Sequence, residues 1–204
     1  MHVEVLKRGD TPWELRRFRY EVYVKELNRQ QKYANHDEQT IADPLDAFST
    51  NIIARNGNNI VACLRASFLR DGDTGYYKRF YRVNEYFASF ERITLVTQLM
   101  ISGKCRKYKV AKLLCEQVYE YAFLNEIDYC LIDCNDPLES MFKKLGFITL
   151  FRDRHFDYGP VNVMLLDLCD VEHLRAVRSP FAAVHGRLSA TNDDKEVEGI
   201  SVEF

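Results

Sequence analysis

Two carboxylates with two residues between them, in Asp43-Pro44-Leu45-Asp46, lie inside a polar stretch from Asn28 to Phe48 that has neither a helical nor a strand period. Such a pair can take up protons, and in a polar loop it serves equally as solvated charge or turn former. Arg19 and Arg65 flank the stretch, and each can hold a carboxylate or make a salt bridge. A third acid, Glu91, precedes the β-branched run Ile93–Ile101, which carries Thr94, Thr97 and Gln98, an unusual polar load for a core strand. Further on, Lys104, Arg106, Lys107, Lys109 and Lys112 place five cations in nine residues. That patch can meet an acidic partner or form a wet helix face.

The remaining chemistry is sparse. Six cysteines form no CxxC pair and no Cys/His cluster at zinc spacing, so no metal site is expected. Cys134 has no evident histidine partner and reads as a structural thiol. His36, His155 and His173 show no ligand spacing. A formal charge of -2 over 204 residues excludes a generic nucleic-acid binder held by phosphate neutralisation. Met1 to Asp10 lacks the apolar run of a secretion signal, and no window reaches the length of a membrane span; a reducing cytoplasm is the expected setting.

The elements that must position these groups follow from periodicity and punctuation. A short strand, His2 to Leu6, precedes a helix capped by Thr11, with Pro12 at its first position, running to about Leu27. Thr50 to Arg55 and Ile60 to Phe68 form a hairpin across Asn56-Gly57-Asn58-Asn59. Tyr76 to Phe90 is aromatic-rich and helical, its rings serving as core or as the wall of an apolar tunnel. The strand Ile93–Ile101 leads through a tight turn into a long helix starting near Arg106. A strand (Tyr129 to Asp133), a helix (Pro137 to Leu145), a strand ending near Arg154, a last strand (Val161 to Leu168) and a short helix (Val171 to Val177) complete the order. The predicted class is α/β (α+β), a mixed, mostly antiparallel sheet flanked by helices, with one domain over residues 1–182 and a mobile tail over 183–204.

This order resembles the GNAT acyltransferase superfamily. The strand Ile93–Ile101 and the turn Arg106-Lys107-Tyr108-Lys109-Val110-Ala111 match its pantetheine-holding segment, with Lys109 where the superfamily has an inner glycine. Asn135 and Phe142-Lys143-Lys144-Leu145-Gly146-Phe147 match its second landmark, with Phe142 where many members have a tyrosine that protonates the leaving thiolate. The run Arg16 to Glu26, then Asp43-Pro44-Leu45-Asp46, then Val61-Ala62-Cys63-Leu64-Arg65, is similar to acyl-homoserine-lactone synthases and to long-chain N-acyl amino acid synthases. Tyr158-Gly159-Pro160-Val161, Asp170 to Leu174 and Ser179-Pro180-Phe181 resemble the latter branch. Leu95 and Gln98 stand where lactone synthases carry Glu-x-x-Arg, which opposes that assignment.

The resemblance implies transfer of a long fatty acyl chain from acyl carrier protein to the α-amine of an amino acid, tyrosine being favoured. The co-substrate is an acyl-phosphopantetheine thioester, with CoA as alternative donor and no tightly bound cofactor. An amine must lose a proton before it attacks a thioester, and Glu91, Asp43 and Asp46 are the candidate bases. Backbone N–H groups of Leu99, Met100 and Ile101 on a splayed strand would hold the oxyanion. Arg19, Tyr23, Arg65, Thr94, Thr97 and Gln98 are candidate substrate contacts, Arg65 for a carboxylate; Arg19 can equally tie the first helix to the acidic loop. Lys104, Arg106, Lys107, Tyr108, Lys109, Val110 and Lys112 would hold the carrier and its phosphopantetheine. A CoA-dependent acetyltransferase, a lactone synthase and a non-catalytic acyl- or carrier-binding module are the other readings.

Overall fold

The computed structural model describes residues 1–198, with side chains through Thr191. Nine strands occur among these: β1 (His2–Val5), β2 (Ala34–Asn35), β3 (Thr40–Ile41), β4 (Thr50–Asn56), β5 (Asn59–Phe68), β6 (Ile93–Ile101), β7 (Tyr129–Cys134), β8 (Ile148–His155) and β9 (Gly159–Asp167). The helices are α1 (Trp13–Tyr20), α2 (Tyr77–Phe80), α3 (Val83–Tyr86), α4 (Tyr108–Leu124), α5 (Asp136–Leu145), α6 (Val171–Ala176) and α7 (Pro180–Glu198). Seven strands make one sheet in the order β1-β4-β5-β6-β7-β9-β8, while β2 and β3 pair apart from it. Every pairing is antiparallel except β6 with β7, the two strands joined through α4. This is the mixed, mostly antiparallel α+β arrangement expected.

Local chemistry accounts for the elements and for the departures. Residue Gly57 turns the β4–β5 hairpin at φ +59°. Thr11 does not cap α1: Pro12 takes the N-cap position with no side-chain bond, and Thr11 Oγ1 instead lies 3.4 Å from Asn51 Nδ2. The predicted length holds because a π-helical segment, Glu21–Glu26, continues α1. The aromatic stretch after Tyr76 is not one helix. Arg82 adopts φ 51° and splits it into α2 and α3, and Tyr81 between them is fully buried. Gly146 ends α5 at φ +106°, where an added Cβ would meet Leu174 Cδ2 at 2.6 Å.

The C-terminal expectation needs correction at its start. Residues from Phe181 onward continue α7, whose Phe181, Val184 and Leu188 are buried in the main core. Phe181 stacks on Tyr119 of α4 at 4.7 Å between ring centroids. Two aromatic rings on one apolar face outweigh the polar composition that suggested a tail. The expectation for residues 199–204 lies outside the described residues.

Candidate active site

The strand β6 does two things along its length. Ile93, Thr94 and Leu95 pair in parallel with Tyr129, Cys130 and Leu131 of β7, and the pairing stops there. On the other edge β6 stays with β5, but between Cys63 and Arg65 it carries an extra residue, a β-bulge. Gln98, at φ 56°, sits in this bulge. A non-glycine residue in the left-handed region needs outside support, and Gln98 Nε2 finds it by donating to Asp43 Oδ2 at 3.1 Å. The bulge bends β6 away from β7, so peptide groups of its second half that face β7 have no ladder partner there.

The gap opens into a cavity of about 310 Å³. Leu99, Met100, Cys115, Val118, Ile132 and Phe142 are among its apolar walls, and Tyr119 of α4, Leu166 of β9 and Phe181 of α7 lie along it, with Leu168 just past β9. A second hollow of about 340 Å³, lined by Lys107, Tyr108, Ala111 and Met141, shares Leu99, Ile101, Arg106 and Leu138 with the first. The start of α4 therefore stands beside the entrance to an apolar interior.

The acid pair has a different job from the one expected. Arg19, fully buried, donates through Nη1 to Asp46 Oδ2 at 2.6 Å and through Nη2 to Asp46 Oδ1 at 3.0 Å and Asn51 Oδ1 at 2.6 Å. Arg65, equally buried, has Nη1 2.7 Å from Asp43 Oδ2 and 3.4 Å from Asp46 Oδ1, and donates through Nε to Thr97 Oγ1 at 3.1 Å. Burial alone would raise the Asp46 carboxyl, but the charges of Arg19 and then Arg65 outweigh it and hold the group below its ordinary value. A carboxylate so stabilised is a poor proton acceptor. Asp43 and Asp46 thus fasten α1, the acidic loop, β5 and the β6 bulge together, and neither arginine belongs to the cavity wall. Of the two roles open to Arg19, the structure places it in the tie between α1 and the loop.

The other expected residues divide. Tyr23, Thr94, Thr97, Gln98, Leu99, Met100, Ile101 and Arg106 reach the cavity wall. Glu91 does not: it is exposed, just before β6, at the end of the strand where the β7 pairing is intact. Its position as a base candidate is corrected accordingly. Of the entrance cations, Arg106 donates to Ile101 O and Glu26, and Lys112 pairs with Glu116 at 2.8 Å, while Lys104, Lys107 and Lys109 are exposed. Tyr108 is half-exposed, and Val110 is buried against β4 and β5, so its side chain holds no ligand.

The cavity also presents Asp133 and Arg29, which no motif singled out, beside residues the sequence had named. Asp133, at the open end of β7, accepts a 2.6 Å bond from Tyr81 Oη. Burial raises its carboxyl above the ordinary range, with the Tyr81 bond offsetting part of that. One carboxylate inside the apolar strand Tyr129–Cys134 was the sequence signal available for it. Arg29 and Tyr77 also reach the wall, with Tyr158 from the β8–β9 turn. Asn135 fixes that turn by donating to Tyr158 O at 3.3 Å and Pro160 O at 3.1 Å. Beside it His155 is 1% exposed, stacked on Tyr158 at 4.4 Å, and pushed down to about 4 by burial and then by Arg29, so it is neutral at pH 7. Cys115 and Cys134 on the wall are pushed up to about 12 by burial, which leaves them protonated. Among the described residues no group of His, Cys, Asp and Glu could hold a metal ion.

A splayed parallel strand pair beside a helix start, opening into a buried apolar cavity, defines a GNAT-like acyltransferase. The family model for N-acyl amino acid synthase FeeM matches residues 14–169, and the chain belongs to that family. The fold is shared with TofI, solved in a ternary complex with an inhibitor and MTA (TM-score 0.69, 18% identity, 90% of this chain and 100% of that one). It is shared also with FeeM, an N-acyl amino acid synthase from uncultured soil microbes (TM-score 0.61, 16% identity, 89% and 96%). A CoA-dependent acyl-homoserine lactone synthase, MesI, aligns with TM-score 0.63 and 17% identity over 86% of this chain and 95% of that one. A search of curated proteins by sequence finds no match.

Proposed function

We propose that this acyltransferase moves a long-chain fatty acyl group from acyl carrier protein to the α-amine of an amino acid, with tyrosine a favoured acceptor. The observation that carries the proposal is the bulge-opened gap beside β6, leading from the cationic start of α4 into a deep apolar cavity. An acetyl group has no use for such depth, whereas a fatty chain gains roughly 0.8 kcal/mol for each methylene buried there. The exposed Lys104, Lys107 and Lys109 favour a carrier with an acidic surface. Lys109, exposed in the first turn of α4, stands where the superfamily it resembles has a glycine that lets a pyrophosphate approach, which favours the carrier over free CoA.

The amine attacks the thioester carbon directly, with the oxyanion facing those peptide N–H groups of Leu99 to Ile101 that point toward the β7 side. An acyl-enzyme is disfavoured by the protonated wall thiols. Phe142 cannot donate a proton, and a pantetheine thiolate of ordinary pKa, about 8.5, is a competent leaving group without one. All six thiols are free, in keeping with a cytoplasmic setting, and no helix among the described residues is long and apolar enough to cross a membrane.

The test mixes purified protein with palmitoyl carrier protein or acetyl-CoA and a pool of amino acids, following free thiol and product mass. Acyl amino acid formed from the carrier is the expected result. Thiol release from acetyl-CoA alone would replace the proposal with an ordinary acetyltransferase, and tight acyl binding without turnover would replace it with an inert module.

A further inference from the structure

Arg65, where a carboxylate contact was expected, commits its Nη1 to Asp43 and Asp46 and its Nε to Thr97; its Nη2 is buried without a partner, and the residue is off the cavity wall. Arg29 is placed differently. It follows Asn28, whose φ of 49° turns the chain at the end of the π-helical segment, and its backbone N–H is fixed to Tyr23 O at 2.9 Å. Its guanidinium lies over the Tyr158 ring, 4.8 Å from the centroid, on the cavity wall. Among the described residues no carboxylate pairs with it. On the same wall Asp133 is a carboxylate that no cation pairs with among the described residues, held only by Tyr81. One cavity therefore holds an uncompensated cation stacked on the Tyr158 ring and an uncompensated anion bonded by Tyr81, next to the strand gap.

We propose that Arg29 and Asp133 form the two charged ends of the acceptor subsite, Arg29 receiving the α-carboxylate and Asp133 the α-ammonium of a free amino acid. This rests on the acyl-transfer reading above and supplies its base. The ammonium gives one proton to an Asp133 oxygen. The freed nitrogen lone pair forms the C–N bond, the C–S bond breaks with its electron pair going to sulfur, and the second nitrogen proton goes to the departing thiolate. Asp133 returns its proton to solvent. The groups near its carboxylate are phenols, Tyr81 between α2 and α3, Tyr76 and Tyr77 at the start of α2 and Tyr158 in the β8–β9 turn, with the thiol of Cys134 adjacent on β7. All are neutral at pH 7, so nothing there competes for the ammonium.

The experiment compares kcat/KM for an amino acid that the wild type acylates with that for its carboxamide, acyl carrier substrate being saturating. The wild type prefers the acid by about 100-fold, the scale of a charge-assisted bidentate pair, and in Arg29→Gln that ratio falls to within a few-fold of one, with Arg29→Lys in between. Asp133→Asn keeps the acceptor for Tyr81 and lowers kcat by at least about 100-fold, with loss of the acidic limb of the pH profile and restoration of part of it in Asp133→Glu. An unchanged acid-to-amide ratio in Arg29→Gln, or an unchanged acidic limb in Asp133→Asn, overturns the subsite while leaving acyl transfer intact. A wild type that acylates no amine at all overturns the underlying function and the subsite with it.

Discussion

Arg65 Nη1 and Gln98 Nε2 meet on one oxygen, Asp43 Oδ2, at 2.7 Å and 3.1 Å. A single carboxylate thus joins the buried cation of β5 to the bulge that opens the sheet. Arg65→Met leaves Asp43 and Asp46 under-compensated in a buried setting and lowers stability by about 3–5 kcal/mol, measured by urea unfolding. The pH dependence follows from the depressed Asp46 group: its stabilisation is fully present above the ordinary carboxylate value of 3.8 and is lost as pH falls through the lower folded value. The penalty of Asp46→Asn is therefore level from pH 5 to 8 and shrinks in acid below that range.

Asp133 carries the opposite sign. Its folded value is raised, so its contribution favours folding in acid, and that is lost as pH rises through the folded value. Asp133→Asn raises the melting temperature at pH 7.5 and leaves it nearly unchanged at pH 3.5. A variant that is slower yet more stable at neutral pH separates a chemical role from a structural one.

Reversal of Lys107 and Lys109 to glutamate removes cations beside the entrance. The KM for carrier substrate rises on the order of tenfold, about 1.4 kcal/mol, more so at low salt, while the amine KM stays put. An unchanged carrier KM refutes docking at this helix start.

The wall thiols give a negative prediction. With Cys115 and Cys134 pushed up to about 12 by burial, both thiols are protonated at pH 7. Cys134→Ser and Cys115→Ser keep kcat within a few-fold, and mass spectrometry of wild type quenched during turnover finds no acylated cysteine.

Phe181 tests the docking of α7. Its truncation to alanine removes a ring stacked on Tyr119 and costs about 3–5 kcal/mol. Because Phe181 and Tyr119 line the cavity, the same variant shifts the preferred acyl chain to greater length, read from product masses.

Much of the frame was legible in the chain. The hairpin turn at Gly57, the strand Ile93–Ile101 and the helix after Lys107 each carry a local signal, whether turn chemistry, β-branching or helical spacing, that survives folding. The bulge at Gln98 does not announce itself, because a positive φ in glutamine is imposed by Asp43 from 55 residues away. For the same reason the acids and arginines were legible as residue types but not as partners of one another. Asp133 had a signal, a lone charge in an apolar strand; Arg29 had none, since only the fold brings it onto Tyr158.

Glu26, at the end of the π-helical segment, accepts from Gly103 N–H at 2.8 Å and from Arg106 Nη2 at 3.1 Å. The doorway at the head of α4 therefore already contains an internal anion. On the proposed carrier reading, a phosphate that reaches Arg106 meets a guanidinium already paired with Glu26, so its gain at that one cation is only the difference between two negative groups.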